Sequence, residues 1–166
     1  MQTGIQTLEN LFYEKILLYQ ELVECLKKEH AVLIKTDMDG LWEIADEKQS
    51  IVARIKALRI KILTALSEAA IDYRMDADSF DLGRVYSLIP SMHRERLRKP
   101  YLSLVGLKDD IQKRSQENRL FIEECLSFLD ELIGIIADTG KQETVYDNGR
   151  PSSNKNQANL LLHREV

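Results

Sequence analysis

The chain has 166 residues, of which 44% are hydrophobic, 30% charged and 7% aromatic, enough for one domain or two small ones and too few for a large multidomain enzyme. Seven glycines and three prolines cannot supply the turns that a sandwich or barrel needs roughly every eight to twelve residues, so the expected class is all-α. With 23 basic against 27 acidic side chains the net charge is -4, which gives no overall field to gather a phosphate backbone.

From Leu8 the apolar positions Leu8, Phe12, Ile16, Tyr19, Leu22, Leu26, His30 and Leu33 alternate steps of three and four, one stripe on a coiled-coil-like helix. The period breaks at Thr36-Asp37-Met38-Asp39-Gly40 and resumes at Leu41, Ile44, Lys48, Ile51, Ile55, Leu58, Ile62, Ala65 and Ala69. A bend or frayed turn is expected there, because the step from Leu33 to Leu41 moves the seam by one position. If both halves form one helix, residues 5 to 71 span on the order of 100 Å and the molecule is elongated.

A polar connection, Asp72 to Asp81, leads to a short bridging helix with Ser79 as its expected N-cap, which ends before Pro90. The basic segment Arg94, Arg96, Arg98 and Lys99 precedes Pro100, which suits the first turn of a new helix. That helix carries Leu104, Leu107, Ile111, Arg114, Asn118, Phe121, Cys125, Phe128, Leu132 and Ile135 at unbroken 3,4 spacing. It is expected to pack antiparallel along the first helix, with Asn118 setting the register. Trp42 and Tyr101 read as packing residues near helix ends. Gly140 should end the helix, giving a helical domain over 1–140 and a flexible tail over 141–166. In that tail Val145, Tyr146, Leu160, Leu161 and Leu162 form apolar islands too short to bury themselves.

The chemistry of a site is missing from the pattern. His30, His93 and His163 lie far apart without Glu-x-x-His or His-Glu-x-x-His spacing. Lys35 stands where a calcium loop needs its first ligand. Neither a glycine-rich phosphate loop nor a nucleophile elbow is present, so neither an enzyme nor a cofactor is expected. Cys25 and Cys125 read as reduced thiols packed in helices. Asp130 and Glu131 interrupt the greasiest stretch, 126–137, short of the roughly 18 apolar residues of a membrane span. Met1 to Glu9 lacks the flank and centre of a signal peptide, so a cytoplasmic location is expected.

The run Leu22, Glu29, Leu33, Leu41, Ile44, Lys48, Ile51, Ile55 and Leu58, with its acidic break, resembles the flagellar export chaperone family FlgN. So do Asn118 with Ile122, and the tail segment from Thr144 through Val145, Tyr146, Asp147, Asn148 and Gly149 to Arg150. The resemblance covers roughly residues 5 to 150. It implies a chaperone that binds the C-terminal helices of the hook-associated proteins FlgK and FlgL, prevents premature assembly and brings them to the export gate protein FlhA. It also implies client binding by the C-terminal part of the chain and a gate contact by a tail tyrosine, here Tyr146.

Physical reasoning points the same way: a chaperone for coiled-coil termini must offer an apolar stripe without closing into a self-satisfied bundle. Val145, Leu160, Leu161 and Leu162 are the expected client contacts, with docking back onto the chain's own helices or onto a second copy, as a weak homodimer, as the alternative. Two other functions compete. One is a structural coiled-coil homo-oligomer; the other is a nucleic-acid-binding hairpin using Arg94, Arg96, Arg98 and Lys99.

Overall fold

A computed structural model of the chain describes residues 2–142, with side chains placed over 4–137. Among the described residues the regular elements are four helices: α1 Gln2–Lys35, α2 Met38–Glu68, α3 Leu82–Leu88 and α4 Ser91–Gln142. The chain divides into two compact units, residues 1–124 and residues 125–166.

In the first unit α1 and α2 form an antiparallel hairpin. The reversal follows from two local devices that a periodicity reading passes over. At the end of α1 the Thr36 N–H donates to Leu33 O and the Asp37 N–H to Val32 O, both at 3.1 Å, a Schellman closure with Thr36 at φ 55°. Asp37 then caps α2, its carboxylate accepting from the Gly40 N–H at 3.0 Å. One residue in the left-handed region followed by an N-cap turns the chain back, so the two apolar stripes do not belong to one continuous helix. Ala70, at φ 57°, closes α2 in the same way, with Ile71 N–H reaching Leu66 O at 3.0 Å.

The stripes then face each other. Ile5, Leu8, Phe12, Leu22 and Leu26 of α1 are buried against Ile44, Ile51, Ile55, Leu58, Ile62 and Leu66 of α2, each worth about 1.5–3 kcal/mol on burial. Ion pairs cross the edge of the hairpin: Lys28 with Glu47 at 3.0 Å, Lys48 with Glu29, Arg54 with Glu21 at 2.6 Å, and Lys61 with Glu14 at 3.4 Å. Most are exposed and stabilise little individually, yet together they oppose slippage of the hairpin.

One charge sits inside. Lys15 is 1% exposed, its ammonium 4.4 Å from the Phe80 ring centroid and 5.3 Å from that of Tyr19. Burial, and then the positive charge of Arg59, pull its pKa down to about 7.

The connection from α2 is held by Asp76, whose carboxylate accepts from the Ser79 N–H, the Ser79 hydroxyl and the Asp78 N–H. Those bonds hold the Asp76 pKa below its usual range. Ser79 is thus engaged in a turn, and the N-cap of α3 is Asp81, which accepts from the Arg84 N–H at 2.7 Å. α3 buries Val85 and ends before Pro90, as its sequence predicts.

α4 begins at Ser91, so Pro100 lies inside it and not in its first turn. The missing hydrogen bond is offset by packing: Leu97 and Pro100 are both buried to below 2% exposure. Tyr101 stacks on Tyr86 with centroids 4.1 Å apart. α4 also runs parallel to α1, against the antiparallel expectation. Arg96 donates to Gln6 and Glu9, while Asn118 reaches Leu26 and Glu29, so residue numbers rise together on the two helices. The reason is the hairpin: with α2 already antiparallel to α1, a third long helix joined by a short bridge returns along α1's own direction. The helix continues past Gly140 to Gln142.

Candidate functional site

Asn118 is the polar residue at the centre of the α1–α4 seam, only 3% exposed. Its amide donates to Leu26 O and to the Glu29 carboxylate, each at 3.0 Å. With both amide hydrogens committed, its carbonyl must accept, so His30 Nδ1 carries the hydrogen of the 2.9 Å contact between them. Glu29 also takes the ammonium of Lys48 from α2. Glu29, Lys48 and Asn118 therefore brace all three long helices through one carboxylate. Three residues that carry the sequence resemblance converge at this point, a convergence that no linear pattern displays.

One turn beyond the brace, the ring of Phe121 meets His30 edge-on, with centroids 6.2 Å apart. Further along α4 the side chains change character. Leu126 is 56% exposed, Phe128 60%, Leu129 52% and Ile133 63%, and Leu120, Ile122 and Leu132 are exposed as well. At about 100° per residue, positions 125, 126, 128, 129, 132 and 133 cover an arc of about 140–160°. That is wider than the roughly 100° stripe of an ordinary surface helix. Glu123, Glu124, Asp130 and Glu131 occupy the opposite side, and no lysine or arginine falls between Leu120 and Ala137.

An arc of large apolar side chains at this exposure is the feature that protein-binding surfaces share. Its 3,4 spacing suits another amphipathic helix laid along it. The acidic back side adds a preference for a partner with basic flanks. The unbroken period reads in the sequence as one closed seam, but the buried and half-buried part of that seam stops at Phe121. Exposure of the second half is a tertiary fact, invisible in the spacing.

The other sequence expectations sort differently. Val145, Tyr146, Leu160, Leu161 and Leu162 lie outside the described residues. Cys25 packs in the core, whereas Cys125 is exposed on α4, so only one of the two is a packing thiol; both are free. Trp42, expected to pack, is 71% exposed, because the reversal at Thr36 and Asp37 places it in the first turns of a new helix and not within a seam. The basic segment is largely spent within the fold. Arg96 binds Glu9 at 2.6 Å, and Arg94 donates to the carbonyls of Ile89 and Ser87, each at 2.7 Å. Arg98 lies 3.8 Å from Glu95.

Among the described residues no group of three or more His, Cys, Asp or Glu side chains could hold a metal ion. No helix there is long and apolar enough to cross a membrane.

A family model described as "FlgN protein" matches residues 1–151. The matched span takes in the braced helices, the exposed half of α4 and Tyr146, and ends before Leu160. No curated protein and no solved structure matches the chain. With the match running through nearly all of its length, the chain belongs to the FlgN family of flagellar export chaperones.

Proposed function

We propose that this chain binds the apolar C-terminal helices of the hook-associated proteins FlgK and FlgL in the cytoplasm, keeps them from assembling prematurely and delivers them to the export gate protein FlhA. The observation that supports this reading most strongly is the exposed apolar arc of α4 between Leu126 and Ile133. A client helix laid on it covers five large side chains, Leu126, Phe128, Leu129, Leu132 and Ile133, and half-burying each contributes about 1 kcal/mol. Part of that gain is spent on immobilising the partner, which leaves an affinity compatible with release. Val145, Leu160, Leu161 and Leu162 extend the client surface, and Tyr146 contacts the gate. Residues 1–140 act as the helical body and 141–166 as the client-binding tail. Neither a cofactor nor a catalytic group takes part.

The test is co-expression with FlgK or FlgL carrying or lacking its last ~40 residues, a typical coiled-coil segment. Intact client is captured and truncated client is not. Phe128→Ser with Leu129→Ser lowers capture with helical content unchanged, and deletion of 141–166 measures the tail's share. Tyr146→Ala spares capture and impairs export. Capture that ignores both the α4 pair and the tail deletion refutes the assignment of the surface.

The same arc favours a second reading, self-pairing of two copies through α4. Light scattering separates the two: a chaperone is a monomer or weak dimer that becomes a 1:1 complex with its client, whereas a structural oligomer keeps its size.

A further inference from the structure

Away from the exposed half of α4, the first unit contains a cavity of about 230 Å³ where α1, α2 and α4 meet. Its walls carry Tyr19 and Leu22 from α1, Val52, Ile55, Lys56 and Arg59 from α2, and Lys108, Ile111 and Gln112 from α4. Three cations line it and no carboxylate does, although the chain as a whole is acidic. The lysines and the arginine across the other α1–α2 edge each meet a glutamate. By contrast Lys56, Arg59 and Lys108 have no carboxylate partner among the described residues, and the one hydrogen bond of Arg59 goes to Ala77 O at 3.3 Å.

One donor in the cavity wall is buried and lacks an acceptor, Arg59 Nε; the guanidinium lies 5.7 Å from the centroid of the Phe80 ring that also covers Lys15. A buried donor left without an acceptor costs free energy, and in this wall an anion would supply the acceptor that Arg59 Nε lacks.

We propose that this cavity receives an acidic side chain next to an apolar residue on a partner polypeptide, with Lys56, Arg59 and Lys108 taking the carboxylate and Val52, Ile55 and Ile111 the apolar neighbour. The size selects among anions. A drug-sized or nucleotide ligand fills roughly 300–1,000 Å³, more than is present, whereas one side chain and its neighbour fit. The apolar walls argue against a bare inorganic anion, which gains nothing from Val52 or Ile111. Arg59 supplies the directional contact through its planar fork, and the two exposed lysines add charge at the mouth.

The proposal is independent of the flagellar reading, and its test needs no client. The full chain is titrated with N-acetyl-Leu-Glu-Leu-amide, N-acetyl-Leu-Gln-Leu-amide and inorganic phosphate, and the methyl resonances of Val52, Ile55 and Ile111 are followed by NMR. The glutamate peptide shifts all three; the glutamine peptide and phosphate do not. Lys56→Gln and Lys108→Gln, both at exposed positions, each weaken binding by roughly threefold. Arg59→Gln abolishes it, and a circular dichroism spectrum shows whether that variant folds; if it does not, the lysine variants carry the test alone. Equal shifts with the glutamine peptide, shifts with phosphate alone, or no shift with the glutamate peptide overturns the proposal.

Discussion

Replacing Lys15 by methionine should stabilise the protein, and by an amount that depends on pH. Methionine keeps an unbranched apolar stem in the site and removes the ammonium. The native pKa is about 7 against 10.5 for a free lysine, a displacement that corresponds to about 5 kcal/mol at about 1.36 kcal/mol per pH unit. Being a net displacement, it already includes whatever the rings of Phe80 and Tyr19 return through cation–π attraction, so the penalty for keeping the charge is the same amount, about 5 kcal/mol. Because the folded-state pKa of this base is depressed, the unfolded chain binds the extra proton between about 7 and 10.5, and wild-type stability rises with pH across that window. The penalty is fully present below pH 7 and gone above 10.5. Lys15→Met should therefore exceed the wild type by about 5 kcal/mol at pH 6–7, or roughly 10–20 °C in Tm for a chain of this length. The gap should close steadily towards pH 10. Urea melts followed by circular dichroism at five pH values for both proteins measure it. A gap that does not change with pH, or a variant less stable than wild type at pH 7, refutes the reasoning and means that the ammonium is well solvated where it lies.

Other substitutions test the local devices. Asp37→Ala removes the cap of α2 and should cost about 1 kcal/mol in a urea melt. Thr36→Gly relieves a β-branched residue held at φ 55° and should gain up to about 1 kcal/mol, part of the relief being offset by the entropy of glycine in the unfolded chain. Arg96→Gln breaks a surface contact with Glu9 and should cost less than about 1 kcal/mol. Phe128→Ser with Leu129→Ser should weaken client binding by tenfold or more, as expected for about 2 kcal/mol of lost burial, while leaving the melting of the first unit unchanged.

Much of the fold can be read from spacing, because apolar periodicity dictates which helix face seeks cover. The α2 positions Ile44, Ile51, Ile55, Leu58, Ile62 and Ala65, and Ala69 at its C-cap, are buried as the sequence predicts, and Asn118 is the buried polar residue on the α4 stripe. What spacing does not give is direction. A break of five residues is compatible with a bend or with a reversal, and only the left-handed Thr36 and the Asp37 cap decide it; Asp37 followed three residues later by Gly40 was the available signal. Lys15 shows a different limit. The α1 core follows Leu8, Phe12, Lys15, Leu22 and Leu26, but a hydrophobicity pattern steps past a lysine and takes Ile16 in its place. The exposed half of α4 is hidden for a third reason: a stripe states that it needs a partner, not whether that partner lies in the same chain.

That last ambiguity gives the Asn118 brace a job beyond stability. The α4 stripe keeps its 3,4 spacing from Leu104 to Ile135 without a fault, so a slip of seven residues along α1 still matches apolar to apolar. It would draw Cys125 and Phe128 into the places now held by Asn118 and Phe121, consuming apolar surface otherwise open to a client. The slip is opposed by polar chemistry: with cysteine at the brace, Glu29 and Leu26 O lose their donor and His30 Nδ1 its acceptor. Each buried group left unpaired costs about 1–3 kcal/mol. Asn118→Leu removes that discrimination, much as one buried asparagine fixes the register of a coiled coil. Spin labels at the exposed positions Gln20 and Gln112, with Cys125 replaced by serine, should give one distance in the parent. With Asn118→Leu they should give a second population displaced by about 10 Å, seven residues at about 1.5 Å each, and client affinity should fall in proportion to it. A single unshifted distance with undiminished client binding would mean that packing alone holds the register and that Asn118 serves only the hydrogen bonds it makes.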